Sequence, residues 1–202
     1  MPSNGFVLRN GDDSNIISLP SAPWCTTFSV GTGDRNDLQI KNFAENKDGT
    51  KFELFWQGEK ICSIHWQMPG EYNARNLAMS FLSSVLTQAI CEGKEILLTN
   101  PFSGFKLPDY SSCKGVKRSQ EILVDQDEFT VISDFAHHPT AIAGTLESLR
   151  ARWANRKIIA CFEPRSNTAV TNIFQDRFAD SLSIADEVLL GAVHRGDKIP
   201  VA

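Results

Sequence analysis

Apolar and polar residues along the chain follow one rhythm for about a third of its length and then change to another. Phe6-Val7-Leu8 is a short apolar run leading into Asn10-Gly11-Asp12-Asp13, an acidic, turn-forming segment. Residues 24–30, 38–44, 52–56 and 61–66 are runs of strand length, separated in part by the turn formers Lys47-Asp48-Gly49 and Gln57-Gly58-Glu59. Their β-branched and aromatic content predicts strands joined by hairpins, hence an antiparallel arrangement. Phe52, Phe55, Trp56 and Trp66 fit a core better than a ligand-stacking face, because strand aromatics usually pack inward. After Gly70 the spacing becomes helical. Leu77, Phe81 and Val85 run beside Ala78, Leu82 and Leu86 as a double stripe, and Gly93 is placed to end it. Asn73 suits the cap of this helix and Asn76 lies one turn on, so both amides are expected to face the same space. Residues 95–98 predict a short helix.

The second half alternates strand and helix. Residues 129–132 form an apolar run ending in Ser133-Asp134-Phe135-Ala136-His137-His138-Pro139. Pro139 suits the first position of a helix whose apolar face is Ile142, Leu146, Leu149 and Trp153. Residues 157–162 repeat the pattern, ending in Glu163-Pro164-Arg165-Ser166-Asn167-Thr168. Ile173, Phe174, Phe178 and Leu182 then recur at helical spacing, and 187–190 form a third strand. Such alternation predicts an α/β unit with a parallel sheet, right-handed crossovers and both polar loops on one rim. Carboxylates, imidazoles and amides past a strand, facing a helix N-terminus, are well placed for a phosphorylated ligand; a turn satisfying its own backbone is the plainer alternative. Turn formers over residues 106–114 place a domain boundary there, giving domains 1–114 and 115–202.

Composition narrows the classes. A net charge of −4 argues against a general nucleic-acid binder, and no run approaches the ~18 apolar residues of a membrane span. Met1-Pro2-Ser3-Asn4-Gly5 has no signal-peptide character, which predicts a cytoplasmic protein that binds neither nucleic acid nor membrane. The cysteines Cys25, Cys62, Cys91, Cys113 and Cys161 include no C-x-x-C pair; reduced thiols are expected, and no metal site is assigned.

Three motifs taken in order carry a resemblance. Gly115-Val116-Lys117-Arg118, the segment Asp134-Phe135-Ala136-His137-His138-Pro139-Thr140-Ala141-Ile142, and Phe162-Glu163-Pro164-Arg165-Ser166-Asn167-Thr168 resemble the C-terminal domain of the Mur ligase family. The Glu-Pro-Arg-Ser-Asn-Thr run is most similar to the branch joining UDP-N-acetylmuramate to L-alanyl-γ-D-glutamyl-meso-diaminopimelate, rather than the branch that adds L-alanine. The resemblance implies the end of a Mur-ligase central domain (strands plus a long helix), followed by an incomplete Rossmann-like C-terminal domain. It implies an internal fragment of an ATP-dependent amide ligase of peptidoglycan recycling, with ATP and Mg2+ as cofactors of the complete enzyme and UDP-N-acetylmuramate and muropeptide as its partners.

Residue by residue, the resemblance implies that Asn73 and Asn76 approach the adenine and Asp134 the ribose of ATP. Arg118 and His137 serve its phosphates, while His138, Arg165 and Asn167 serve the peptide substrate. No catalytic proton-transfer residue is assigned. Asn10-Gly11-Asp12-Asp13 matches a family segment expected only to mark the fold. Three departures stand out: Tyr72 where the family has His, Ser119 where it commonly has a second Arg, and Ser133 where an acidic residue is usual. Nothing in the chain matches G-x-x-x-x-G-K-[ST], and Gly31-Thr32-Gly33-Asp34-Arg35 is a glycine-rich turn without the lysine. The expectation is a chain inactive on its own. The alternative is a stand-alone, non-catalytic module that binds nucleotide or muropeptide.

Overall fold

The computed structural model describes residues 5–20, 23–93, 100–104, 106, 110, 115, 117–166 and 169–193. The helix predicted over residues 95–98, most of the predicted boundary segment, Cys113 and Asn167 lie outside them. The chain forms two compact units, one drawn largely from residues 1–114 and the other largely from 115–202.

The first unit is a five-stranded sheet in the order β1-β2-β3-β4-β5, built from Phe6–Asn10, Thr26–Gly31, Leu38–Asn46, Gly49–Trp56 and Glu59–Trp66. The predicted antiparallel arrangement holds for β4 and β5, but β1 pairs with β2 and β2 with β3 in parallel. The connection between β1 and β2 is long enough for a parallel crossover, and it contains helix α1 (Ser14–Ser18), which the sequence reading missed. Asp13 caps α1, its carboxylate accepting from the amides of Asn15 and Ile16. The parallel contact of β2 with β3 covers only Val30–Leu38 and Gly31–Gln39, at the mouth of the intervening turn. Gln57 and Gly58 both have positive φ at the β4–β5 hairpin, the backbone a primed two-residue turn requires.

Helix α2 (Glu71–Cys91) packs on this sheet along the expected double stripe. Ala74, Leu77, Ala78, Phe81, Leu82, Val85 and Leu86 are all buried. They meet Val30, Leu38, Ile40, Phe52, Leu54 and Trp56 in one core. The strand aromatics are core elements: Trp56 sits edge-on to Phe28 (5.3 Å) and Phe102 (5.7 Å). Gly93, at φ 66°, closes the helix by donating its amide to the Ile90 carbonyl.

The second unit contains β6 (Glu121–Asp125), β7 (Thr130–Ser133), α3 (Pro139–Arg152), β8 (Ile159–Phe162), α4 (Gln175–Leu182, preceded by a short 3-10 turn at Asn172–Phe174) and β9 (Glu187–Leu190). β8 and β9 pair in parallel as predicted. The prediction of one parallel sheet including β7 does not hold, since β7 pairs antiparallel with β6. Glu121-Ile122-Leu123-Val124-Asp125 carries charge at both ends, which leaves an apolar run of only three residues as the sign of its strand. Ile142, Leu146, Phe178 and Leu182 form the core, with Ile158, Ala160 and Phe162 against it. Asp186 ties β8 to the helical layer: it accepts from the Ile158 amide (2.7 Å) and from Arg150 (2.8 Å), and these bonds hold its carboxyl below the usual range. Among the described residues, Cys25, Cys62, Cys91 and Cys161 take part in no disulfide. Among the described residues no helix is long and apolar enough to cross a membrane.

Candidate functional site

The loop after β7 holds most of the sequence-predicted residues of the second unit. Asp134 accepts from the Gln120 amide (2.8 Å) with one carboxylate oxygen and from the Ala136 amide (2.7 Å) with the other. A carboxylate has about four acceptor positions, so two remain for hydroxyl donors. The Phe135 amide donates to the Arg118 carbonyl (2.7 Å), and the Arg118 amide to Glu121 (3.0 Å). These bonds fasten the loop after β7 to the loop before β6, where Arg118 and Gln120 both take left-handed backbone (φ 63° and 47°). Non-glycine residues seldom adopt that conformation unless their surroundings hold them in it.

The two imidazoles have different settings. His137 is exposed, and its Nδ1 lies 2.9 Å from the Phe135 carbonyl, so Nδ1 is the donor and Nε2 has no partner among the described residues. His138 is the N-cap of α3: its Nδ1 accepts from the Thr140 amide, ahead of Pro139 at the first helical position. The edge of its ring meets Phe174 at 5.4 Å. Arg165, on the loop after β8, is 70% exposed and paired with Glu163 at 2.9 Å, the structural role its sequence neighbour allowed. An exposed pair of this kind contributes about 0–1 kcal/mol, so it does not tie Arg165 down against a ligand. Arg118, Asp134, His137 and Arg165 all line one cleft of about 570 Å³. Asn167 is outside the described residues.

In the first unit, Asn73 does not cap α2. Gly70 is the N-cap, at φ 87°, and a Cβ there would lie 2.4 Å from the Tyr72 ring. Asn73 is buried one turn in, donating its side-chain amide to the Pro69 carbonyl (2.6 Å). Asn76 is exposed. The expectation that both amides face one space is therefore not met: Asn73 points into the structure and Asn76 toward solvent.

Sequence reasoning missed the densest polar cluster of this unit. Asp12 accepts from the amides of Thr32 (2.7 Å) and Gly33 (3.0 Å), the Thr32 hydroxyl, the Asn36 side-chain amide (2.8 Å) and Arg75 (3.3 Å). Partial burial works to raise its pKa, but the amides of Thr32 and Gly33, the Asn36 amide and the Arg75 charge together outweigh it, so the carboxyl lies below its ordinary value. The Gly31-Thr32-Gly33 turn thus wraps a carboxylate of this chain where a phosphate loop would wrap phosphate. A Cβ on Gly31 would sit 2.4 Å from the Asp12 oxygens. Arg75, between Asn73 and Asn76 on α2 and also paired with Glu71 (2.9 Å), was the available signal.

Comparison with known proteins agrees with this architecture. Residues 1–84 match the model "Mur ligase middle domain" and residues 118–199 the model "Mur ligase, glutamate ligase domain". The UDP-N-acetylmuramate--L-alanine ligase of Clostridium acetobutylicum is 32% identical over 96% of this chain and 39% of its own length. The UDP-N-acetylmuramate--L-alanyl-gamma-D-glutamyl-meso-2,6-diaminoheptandioate ligase of Escherichia coli is 31% identical over 94% and 38%. Among solved structures, the murein peptide ligase of Psychrobacter arcticus aligns with a TM-score of 0.56 at 25% identity, over 94% of this chain and 38% of that one. MurF ligase of Thermotoga maritima in complex with ADP aligns at 0.66 and 14%, over 96% and 42%, a likeness of fold. The chain spans about 39% of the length of the first of these relatives. With the two domain models in chain order across most of its residues, the chain belongs to the Mur ligase family.

Proposed function

We propose that residues 1–202 are an internal segment of a cytoplasmic ATP-dependent amide ligase that joins UDP-N-acetylmuramate to L-alanyl-γ-D-glutamyl-meso-diaminopimelate in peptidoglycan recycling. The observation that carries the ligase reading is the Asp134 loop. Its carboxylate is held by two backbone amides at the end of a strand, beside a Pro-initiated helix, and keeps acceptor capacity for the two hydroxyls of a ribose. The choice of branch rests on Glu163-Pro164-Arg165-Ser166-Asn167-Thr168 and on the relatives from Escherichia coli and Psychrobacter arcticus. The second reading, L-alanine addition, is favoured by the Clostridium acetobutylicum relative at nearly equal identity.

In this reaction class a substrate carboxylate attacks the γ-phosphate of ATP, and the acyl phosphate so formed is displaced by an incoming amine to give the amide, with ADP and phosphate released. The work of this chain's residues is to position and to neutralise charge. Asp134 accepts from the ribose hydroxyls, and Asn76, with Asn73 bracing the same turn, approaches the adenine. Arg118 and Nε2 of His137 meet phosphate oxygens. Arg165, released from Glu163, takes a peptide carboxylate, with His138 and Asn167 beside it. Among the described residues no group of three His, Cys, Asp or Glu side chains is placed to hold a metal. In the complete enzyme Mg2+ would offset the charge of the nucleotide phosphates.

The test is direct. Without a Gly-Lys-Thr loop, the 202-residue chain incubated with ATP, UDP-N-acetylmuramate and either the tripeptide or L-alanine is expected to form no product. Product, or ATP hydrolysis above a heat-treated control, refutes that expectation. In a full-length ligase containing these residues, a higher kcat/KM for L-alanine than for the tripeptide would replace the first branch by the second.

A further inference from the structure

The Asp12 cluster touches the first turn of α2 through Arg75, and that turn needs support. Its N-cap, Gly70, makes no side-chain cap bond. Amides at the start of a helix have no intrahelical partner, and such ends fray unless something ties them down. Two side chains do so here. Asn73 donates to the Pro69 carbonyl (2.6 Å), a bond to the segment just before the helix. Arg75 reaches further, its Nη2 donating to Asp12 at 3.3 Å across 63 positions of the chain.

The geometry of the guanidinium makes that contact decisive. Nη2 also bonds Glu71 (2.9 Å), one turn back on the same helix, and Nε is buried without a hydrogen bond. Among the described residues, the bond to Asp12 is therefore the only ion pair of Arg75 that leaves α2. Asp12 in turn is a fixed post, because Thr32, Gly33 and Asn36 all donate to its carboxylate. Both partners are mostly buried, so solvent screens the pair less than one on an open surface.

Asn76 follows Arg75 directly. Its backbone carbonyl takes the Ser80 hydroxyl (2.8 Å) within the helix, while its exposed side-chain amide has no partner among the described residues. A carboxamide matches adenine, which presents a donor and an acceptor side by side; guanine presents two acceptors at the same edge. The direction of the Asn76 amide follows from where the first turn of α2 sits. We propose that Arg75 is a positioning residue for base recognition: braced on Asp12, it fixes the first turn of α2 so that Asn76 meets the base edge and selects adenine over guanine. This deepens the adenine assignment of Asn76 and rests on the ligase reading.

The measurement is the ratio of kcat/KM for ATP to that for GTP in a full-length ligase containing these residues. A two-point contact separates the bases by roughly five- to a hundredfold, the range expected for the native ratio. Arg75→Met keeps the stem of the side chain and removes the brace, and should lower the ratio at least about threefold. Arg75→Lys, which can still reach a carboxylate as a point charge, should fall between the two. Glu71→Gln breaks only the contact within the helix and should leave the ratio unchanged. Asp12→Asn loosens the brace from its other end while keeping an acceptor for the turn, and reads the same fall should Arg75→Met not fold. Equal losses for ATP and GTP would make Arg75 a general charge or a plain fold element and would overturn the proposal. Asn76→Ala separates the two layers of the reasoning. If it abolishes the preference while Arg75→Met and Asp12→Asn retain it, the brace is wrong and the adenine assignment stands. If it leaves the preference intact, or the native ligase has none, both fall.

Discussion

Replacing Asp12 by alanine should destabilise the first unit well beyond a typical surface substitution. The side chain is only 21% exposed, and its removal strands two backbone amides and takes one partner each from the Asn36 amide, which keeps the Gly33 carbonyl, and from the Arg75 guanidinium, which is itself 20% exposed and keeps Glu71. Hydrogen bonds to charged groups contribute roughly 1.5–3 kcal/mol each when dry, but water can enter beside this turn and restore part of the loss. A net cost of about 2–3 kcal/mol follows, which for a unit of this size lowers Tm by roughly 10–15 °C. Trp56, buried against Phe28, reports the transition through its fluorescence.

The pH dependence gives the refutable part. The folded-state pKa of Asp12 lies below the ordinary carboxylate value, so the unfolded chain binds the proton more tightly. Its contribution is complete above the unfolded pKa and is lost as pH falls through the folded one. The gap in stability between the native chain and Asp12→Asn should therefore be flat from neutral pH down to about 4–5 and narrow below that. A gap that stays constant to pH 2 would show that the fold does not favour the ionised carboxylate, and a Tm for Asp12→Ala within about 2 °C of the native chain would show that the cluster stabilises nothing.

Other consequences are more local. Leu82→Ala, at a side chain fully buried between α2 and the sheet, should cost about 2–5 kcal/mol in a denaturant titration. His138→Ala should lose about 1 kcal/mol through the α3 cap, whereas His138→Asn should recover most of it; equal losses in a thermal melt would mean the ring acts only by packing on Phe174. In a full-length ligase containing these residues, Asp134→Ala should weaken ATP binding about ten- to a hundredfold by calorimetry and leave UDP-N-acetylmuramate binding nearly unchanged. Arg165→Ala should leave the melting of the 202-residue chain unchanged within about 0.5 kcal/mol, as an exposed pair implies.

The sequence was most legible where the information is local. The double stripe of α2 and the site loop, with its carboxylate, imidazoles and proline contiguous, lie within single windows of the chain. What it hid depends on distance. Asp12 meets Thr32, Gly33 and Asn36 from about twenty residues away and Arg75 from 63, and no periodicity encodes those partners. The role of Gly70 was equally obscure, because the cap depends on where the Tyr72 ring lies. The pairing of β7 with β6 rather than β8 was illegible for a further reason: β7 is only four residues long, and an apolar run of that length suits either neighbour.

The departures from the family pattern gain a physical meaning in the Asp134 loop. Ser119 removes a charge, yet the left-handed backbone on either side of it, at Arg118 and Gln120, is present and costs on the order of 1–3 kcal/mol per residue. What offsets that cost is the loop after β7: Asp134 takes the Gln120 amide, and the Arg118 carbonyl takes the Phe135 amide. The carboxylate assigned to the ribose is therefore also the one that holds the arginine-bearing loop in shape. Loss of Asp134 would act on Arg118 as well as on the nucleotide directly. A double-mutant cycle between Asp134→Ala and Arg118→Ala in ATP binding should then be non-additive, the second substitution costing less once the first is made. Strict additivity would mean that the loop keeps its form without the carboxylate and that the two side chains meet ATP independently.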